Sequence, residues 1–386
     1  MAAAKDAVAS ATGRVGRRGR TAARRSAHRL RISALPIVQC GLAAALAWWV
    51  ATALVGHTTP FFAPIAAIVS LGLSLGSRLR RSVELVAGVS IGVGIGDLLI
   101  AGIGRGTWQI GLVVLLAMSA AVLLDSGPII SLQAGTSAVL VATLIPPGGP
   151  AGLDRMVDAL VGGLVGILVV AAIPSHPVGR ARNNAGAVLG TAGAVLQGVA
   201  DGLLENREKP IVDALKKARA TQPEIDKLRE HVTGGREISR ISPLYWNTRR
   251  RLARLEAAVD PLDNALRNIR VLARRSLTLV RDDEILDQRL VDQIEKTSHA
   301  LDVLRRMVLA DPGEQPDQAE AARVLRTVAA GMDPSILDGA GLSATVVFAQ
   351  LRSLLVDLLQ VAGLKRVSAM ATLPPTVEHP AYPPDL

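Results

Sequence analysis

The sequence holds little of the chemistry that most enzymes and metal proteins use. Only one of its 386 residues is a cysteine, Cys40, so the chain can form neither an internal disulfide nor a thiolate metal cluster. The six histidines are scattered, and none has metal-ligand spacing with another. The phosphate-binding loop of ATP-driven motors is also missing from the sequence. We therefore expect no enzyme activity, no metal and no cofactor.

Aromatic residues are scarce as well, at 2% of the chain, although its net charge is +10. Nine basic residues fall in the first 31 positions, but no aromatic side chains alternate with them, as they would on a nucleic-acid surface. An apolar segment follows directly, so this tail is better explained as an anchor on anionic lipid, each charge contributing roughly 1 kcal/mol. We expect the lipid bilayer to be a partner and nucleic acid not to be one.

Charged residues are absent from the 46 consecutive positions 32–77, and the mean hydropathy of the chain is +0.35. Both features are typical of membrane proteins. A helix needs about 20 apolar residues to cross a hydrocarbon core about 30 Å thick. The first 175 residues supply six such segments: Ala34–Gly56, Pro60–Ser77, Ser82–Gly102, Trp108–Leu124, Pro128–Pro146 and Met156–Ile173. We predict an all-α polytopic membrane protein with six transmembrane helices.

Basic residues beside these segments predict their orientation. The flanks on one side carry fourteen: nine in the tail, three after the second segment (Arg78, Arg80 and Arg81) and two after the sixth. The loops on the other side carry two, Arg105 and Arg155. Because cytoplasmic flanks are the basic ones, we expect both termini in the cytoplasm of a bacterium and the six helices in its inner membrane, with Arg78, Arg80 and Arg81 as lipid anchors.

Glycines recur every fourth residue in three of the six segments. They are Gly72 and Gly76 in the second segment, Gly88, Gly92 and Gly96 in the third, and Gly162 and Gly166 in the sixth. Glycines that repeat at this spacing line one face of a helix and let two helix backbones approach closely. The spacing around Gly92 does not match a dinucleotide-binding turn, which requires Gly-x-Gly-x-x-Gly between a strand and a helix. The glycines therefore predict helix packing.

Asp97 lies inside the third segment, about 7 Å from its outer end by helical rise. An aspartate within a membrane costs about 2.5 kcal/mol or more and usually faces a cavity or a charged partner. One interpretation is a structural pair with Arg105 or Arg155. The other is a group that binds and releases a proton along a transport path, which makes Asp97 the first candidate for a transport residue.

Two further polar residues in the apolar segments are candidates. Glu84 begins the third segment, where it can pair with Arg80 at i, i+4 or serve as a gating residue. Gln133 lies in the fifth segment, close to Thr136 and Ser137, and can line a pathway or bridge two helices. Asp158, just inside the sixth segment, is better explained as an acid near a helix N-terminus than as a site.

The second half of the chain has the pattern of amphipathic helices. Apolar residues at three- and four-residue intervals form three stripes: Leu252, Leu255, Val259, Leu262, Leu266 and Ile269; Leu290, Ile294, Leu301, Leu304 and Val308; and Val347, Leu351, Leu354, Leu358 and Val361. Such stripes predict a bundle or long hairpins. Asp260-Pro261 interrupts the first stripe, either as the start of a helix or as a kink.

These patterns divide the chain into four parts. We predict a basic tail over 1–31, a six-helix membrane domain over 32–175, a cytoplasmic helical, coiled-coil-like domain over 176–372 and a proline-rich disordered tail over 373–386.

The block TTPFFAPIAAIVSLGLSLGSRLRRSVELVAGVSIGVGIGDLL, residues 58–99, resembles the fusaric acid resistance and aromatic acid exporter family. In that family a proline-bearing span leads through a short basic loop into a glycine-striped span. The segment RRRLARLEAAVDPLDNALRNIRVLARRS, residues 249–276, resembles the helical domain of its half-size actinobacterial members. The resemblance implies a transporter that expels aromatic or other small organic acids.

Larger members of that family carry two membrane blocks and this chain has one, so the resemblance implies a homo-oligomer if a pathway needs two. Because the sequence has no phosphate-binding loop, transport would take its energy from an ion gradient or a partner. The alternative is a membrane scaffold that transports nothing and whose helical domain binds a partner protein. Neither interpretation assigns a catalytic residue.

Overall fold

The computed structural model describes Leu30 and residues 34–71, 78–125, 127–144, 151–172, 177–241, 243–284, 286–310 and 318–380. These residues form helices and connecting turns, and no strand occurs among them. The chain divides into two compact units. The first comprises Met1–Ser175 with Arg240–Leu244, and the second His176–Ser239 with Tyr245–Leu386.

The first unit contains six described helices that occupy the six apolar segments. They are α1 (Ala34–Ala53), α2 (Phe62–Leu71), α3 (Arg78–Ile103), α4 (Thr107–Leu124), α5 (Pro128–Leu144) and α6 (Ala151–Ala172). Helix α3 packs against α2, α4, α5 and α6, and α2 also packs along α6. Helix α3 is therefore the centre of this unit.

The glycines of α3 lie against α5. A Cβ atom built on Gly88 would lie 2.5 Å from the Ile130 carbonyl oxygen, and one on Gly92 would lie 2.8 Å from the Ser137 Cβ. On α6, a Cβ at Gly162 would lie 2.7 Å from the Ala66 Cβ of α2. These glycines face neighbouring backbone at distances that no larger residue permits. Gly72 and Gly76 lie outside the described residues.

Large apolar side chains point away from this packed interior. Leu123 is 87% exposed, and Leu98, Leu115 and Leu164 are also exposed. A surface of this kind is suited to lipid, since soluble monomers rarely expose large contiguous apolar patches.

Five described helices are long and apolar enough to cross a membrane, by length and composition: Ala34–Ala53, Val83–Ile103, Thr107–Leu124, Val178–Leu204 and Leu342–Val361. Three of the five belong to the first unit. Helices α2 and α5 have shorter apolar stretches, and residues 72–77 and 145–150 beside them lie outside the described residues. The count of six spans therefore stays a prediction.

Eight α-helices and two 3₁₀ turns follow α6 among the described residues, and apart from Arg240–Leu244 they belong to the second unit. The α-helices are α7 (Pro177–Leu204), α8 (Glu208–Arg219), α9 (Gln222–Ile241), α10 (Arg249–Arg281), α11 (Gln288–Leu309), α12 (Gln318–Ala330), α13 (Leu342–Val361) and α14 (Arg366–Met370). The turns span Pro243–Thr248 and Pro334–Leu337.

Except for Leu252, the residues of the three predicted stripes meet in one hydrophobic core, formed with residues of α7, α8, α9 and α12. The prediction of an amphipathic helical bundle is thereby confirmed. Pro261 lies inside α10, which runs without a break from Arg249 to Arg281. Of the two interpretations of Asp260-Pro261, a helix start is therefore wrong.

Helices α7 and α13 are apolar because they form the centre of this bundle. Helix α13 packs along α10, on which Arg254, Asp260 and Arg267 are exposed, and a bilayer would not accommodate these charges. Helix α7 packs on α11, and Arg182 Nη1 donates to the Ala310 carbonyl oxygen at 2.6 Å. We therefore treat both as core helices of the second unit.

Part of the predicted proline-rich tail lies on α13. Arg352 is placed over the Phe348 ring, with its Cζ 5.6 Å from the centroid. It donates to the carbonyl oxygens of Met332 at 2.9 Å and Pro374 at 2.7 Å. Arg352 therefore holds the start of the tail, while residues 381–386, like the basic tail 1–31 apart from Leu30, lie outside the described residues.

Asp357 of α13 should make the stability of the second unit depend on pH. Burial raises the pKa of this carboxyl to about 6, against the opposing effects of Arg366 and of Asn268, which donates to Asp357 Oδ2 at 2.8 Å. A carboxyl with a raised folded-state pKa destabilises the fold when ionised, so stability falls as pH rises from about 4 to about 6, by up to about 3 kcal/mol.

We expect Asp357→Asn, which can still accept from Asn268, to raise the melting temperature of the full chain at pH 7.5 but not at pH 4.5. Thermal unfolding of both proteins across this range measures the effect. A gain of equal size at both pH values would contradict the assignment.

Candidate functional site

A left-handed glycine ends α1 and fixes the position of His57. Gly56 has φ of +85°, a conformation that side chains rarely adopt, and the next backbone N–H, that of His57, donates to the Ala51 carbonyl oxygen at 3.1 Å. This arrangement closes the last turn of α1. It directs the chain into the loop that leads to α2 and leaves His57 beside the start of α6.

Two acids of α6 face this histidine. Asp154 and Asp158 lie four residues apart, so both side chains project from the same face of the helix. His57 Nδ1 lies 2.7 Å from Asp158 Oδ1, and His57 Nε2 lies 3.4 Å from Asp154 Oδ1. Because an ionised carboxylate can only accept, Nδ1 donates to Asp158, and Nε2 is the nitrogen that can take up a proton.

Asp158 also caps a second helix. Its carboxylate accepts from the backbone N–H of Phe62, the first residue of α2. The Asp158 side chain is only 6% exposed, and a buried charge of this kind needs such partners. Sequence reasoning placed Asp158 as an acid near the N-terminus of its own helix. The structure shows that it joins α6 to α2 and to the loop after α1.

Arg155 completes the group, which we name the His57 cluster: His57, Phe62, Asp154, Arg155 and Asp158. The Arg155 guanidinium stacks on the Phe62 ring, with its Cζ 5.1 Å from the ring centroid. Its Nη1 is buried and has no hydrogen-bond partner in the part of the chain that the structure describes. The cluster thus combines a base, two acids, a cation and an aromatic face.

A cavity of about 410 Å³ opens onto the cluster. We name it the His57 cavity; besides the five cluster residues it is lined by Thr58, Thr59, Phe61 and Leu140. Its volume falls within the range of about 300–1,000 Å³ that small-molecule sites occupy. The described residues contain no group of three or more side chains that could hold a metal ion. The cavity lining offers hydrogen-bonding groups, charged side chains and an imidazole.

Asp97, the first candidate from the sequence, does not line the His57 cavity. Its side chain is exposed, and its charge acts on Arg155. Of the two interpretations of Asp97, the structural one named Arg155 among its partners. The structural pair with Arg155 and the place in a proton path both stay predictions.

The other two candidates lie elsewhere in the first unit. Glu84 is 6% exposed and its carboxylate lies against Gly127, just before α5. Gln133 is half-buried, and its Cβ faces Gly88 across the α3–α5 contact. Neither lines the His57 cavity. The side chains of Arg78, Arg80 and Arg81 lie outside the described residues, so the predicted Glu84–Arg80 pair and the lipid-anchor role stay predictions.

The sequence carries little signal for the cluster. His57 and Asp158 are 101 positions apart, and no motif joins them. The available signal was a histidine in the loop of an apolar hairpin, together with two acids at i, i+4 where another apolar helix begins. Both features place polar residues at the ends of apolar helices. Helices that pack side by side in a bundle bring such ends close together.

Comparison with known proteins places this cluster within a family. Residues 44–169 match a family model described as fusaric acid resistance protein-like, and this range contains the whole cluster. An uncharacterized protein of Corynebacterium glutamicum is 40% identical over 362 residues, which are 93% of this chain and 92% of that protein. Provisionally named arylamide transporters of Mycobacterium bovis and Mycobacterium tuberculosis are 30% identical over 231 residues, covering 58% of this chain and 64% of those proteins.

Proposed function

Because the chain belongs to the fusaric acid resistance protein-like family of membrane transporters, we propose that it exports small aromatic or other organic acids from the bacterial cytoplasm. Family membership and the apolar helices of the first unit support a membrane transporter. In this proposal both termini and the second unit are cytoplasmic, as the distribution of basic residues favours. The His57 cluster then lies at the outer ends of α1 and α6.

We further propose that an ion gradient drives the export and that the ion is the proton. The supporting observation is the imidazole of His57 between two carboxylates, 2.7 Å from Asp158 and 3.4 Å from Asp154. Protonation of Nε2 turns an acceptor into a donor and draws Asp154 toward the ring. Because Asp158 also holds the first residue of α2, a change of charge at His57 acts on the contact between α2 and α6.

A second substrate class is suggested by the mycobacterial relatives, whose provisional name is arylamide transporter. Aryl amides and aromatic acids share a flat ring with a carbonyl group and differ in charge. We also propose that the chain works as a homo-oligomer, since larger members of the family carry two membrane blocks and the six apolar segments form one.

An efflux assay tests the proposal. Cells that lack the gene are loaded with radiolabelled benzoate or benzamide, and efflux is followed with and without the wild-type chain. We expect the chain to restore efflux of at least one compound, and a protonophore to abolish the gain because it removes the driving gradient. Efflux that the chain leaves unchanged for both compounds would contradict the proposal and favour the scaffold interpretation.

The same assay separates the two roles of Asp97. If Asp97 is part of the proton path, Asp97→Asn lowers efflux and shifts its pH dependence. Unchanged transport and unchanged pH dependence would leave only the structural role beside Arg155.

A further inference from the structure

A second cavity, of about 810 Å³, lies within the second unit. One wall is a face of α13, on which Phe348, Arg352 and Val356 follow one another at four-residue intervals. Residues of α10 and α14 and the start of the proline-rich tail complete the lining. We name it the α13 cavity. Its volume lies within the range of about 300–1,000 Å³ that small-molecule sites occupy.

Arginines outnumber acids in the lining of this cavity. Of the described residues that line it, Arg267, Arg352 and Arg366 are basic and Asp357 is acidic, which gives a formal charge of +2. Asp263 lies outside the lining and offsets part of the charge of Arg267, whose Nη2 is 2.8 Å from Asp263 Oδ2. The balance stays positive when Asp263 is counted. An anion that enters the cavity therefore meets net attraction.

Arg352 and Arg366 contribute to this charge in different ways. The guanidinium of Arg352 is fixed, because it donates to the carbonyl oxygens of Met332 at 2.9 Å and Pro374 at 2.7 Å. These acceptors carry no charge, so the positive charge of Arg352 is not cancelled. Arg366, the first residue of α14, is exposed and acts through its charge on Asp357. Its side chain is therefore accessible to a ligand.

The rest of the lining is uncharged. Asn264, Thr345 and Ser353 are exposed and carry groups that donate and accept hydrogen bonds. Phe348 and Met370 belong to the apolar part of the lining. The cavity thus has room for an uncharged body beside the group that the arginines attract.

We propose that the α13 cavity binds a small organic phosphate, whose phosphate group lies at Arg352 and Arg366 and whose uncharged body lies against Phe348 and Met370. Guanidinium groups present N–H donors in the geometry that phosphate oxygens accept. A phosphate monoester carries close to two negative charges at neutral pH, because its second pKa is about 6. Two charges match the formal excess in the lining, whereas a carboxylate supplies one.

Phenyl phosphate and phenyl sulfate are a matched pair for the test, because they share shape and apolar body and differ by about one negative charge at pH 7.5. Binding of each is measured by isothermal titration calorimetry on the full chain in phosphatidylcholine nanodiscs, in a buffer without phosphate. We expect phenyl phosphate to bind at least about tenfold more tightly, since the arginines attract the second charge. Equal affinities, or tighter binding of phenyl sulfate, overturn the proposal.

Inorganic phosphate tests the need for an organic body. It has the charge of phenyl phosphate but cannot contact the apolar part of the lining, so we expect it to bind at least about tenfold more weakly than phenyl phosphate. Binding of equal strength would show that the cavity recognises free phosphate, and the organic ligand class would then be wrong.

Three variants locate the site. Arg366→Gln is expected to weaken binding of phenyl phosphate at least about tenfold. The matched control Arg326→Gln changes an exposed arginine of α12 that does not line the cavity, and should leave binding unchanged. Asp357→Asn removes the carboxylate from the lining, so we expect it to strengthen binding at pH 7.5. Misfolding cannot produce such a gain of affinity.

These results do not depend on the transport function. If Arg366→Gln binds phenyl phosphate as tightly as the wild type, the assignment to the α13 cavity is wrong, whether or not the chain exports organic acids. If the chain exports none of the compounds tested but the variants change binding as described, the site stands and the export proposal fails.

Discussion

Gly92→Leu is expected to prevent the first unit from folding. A Cβ at this position would lie 2.8 Å from the Ser137 Cβ and even closer to the Ala134 carbonyl oxygen of α5. The obstacle on the α5 side is backbone, which cannot rotate out of the way, so α3 and α5 must separate. Overpacking of this kind costs typically about 1–3 kcal/mol and more where backbone is involved. Size-exclusion chromatography of the detergent-solubilised chain should show aggregate or no protein.

Gly94→Leu is the matched control for this prediction. Gly94 lies two residues away on the same helix, its side is exposed, and a Cβ there meets nothing within 4 Å. This variant should give a wild-type yield, since leucine is a better helix former than glycine by roughly 0.8 kcal/mol. If both variants fold equally well, close approach of α3 to α5 is not required, and the arrangement of the first unit is wrong.

Asp158→Ala is expected to reduce efflux to the level of cells that lack the gene. The substitution removes the acceptor for the Phe62 N–H and for His57 Nδ1. The buried Phe62 N–H then has no acceptor, at about 1–3 kcal/mol, and the loop after α1 loses its attachment to α6 through His57. The efflux assay measures the loss of transport, and the melting temperature of the purified chain measures the loss of stability.

Asp158→Asn separates the hydrogen bonds from the charge. The asparagine oxygen can still accept from Phe62 and His57, so the melting temperature should stay close to that of the wild type. This variant has no carboxylate beside the imidazole. We therefore expect its efflux to be independent of the proton gradient, so that a protonophore no longer changes it. Asp125→Asn is the control, because Asp125 follows α4 and does not line the His57 cavity. Full gradient-driven efflux by Asp158→Asn would show that the His57–Asp158 pair does not couple protons to transport.

The helices could be predicted from the sequence because their causes are local. An apolar run that is bounded by Gly, Pro or Arg forms a helix between those residues, whatever its position in the fold. Helix α4 therefore starts within one residue of its predicted position and ends at Leu124. A stripe such as that of α13 buries its apolar face in any bundle that supplies a partner. The role of Pro261 was less determined, since the same dipeptide can start a helix or lie within one.

The site was harder to predict because it depends on distant contacts. Asp97 could be named as a candidate because a charged residue inside an apolar segment is recognisable from the neighbouring residues alone. Asp158 had an adequate local explanation at the start of α6, so nothing in the sequence required a second partner for it. The contact with His57 at 2.7 Å exists because α2 packs on α6, at Gly162 among other positions, and brings the loop after α1 beside the first turns of that helix.

The sequence by itself determined the class of this protein: apolar helices first, an amphipathic bundle after them, and glycines at the spacing that close packing requires. These properties follow from composition and periodicity, which act over one or two helical turns. Only the tertiary structure decided which polar groups work together. Their energies depend on distances between atoms of separate helices, and the packing of α2, α3 and α6 sets those distances.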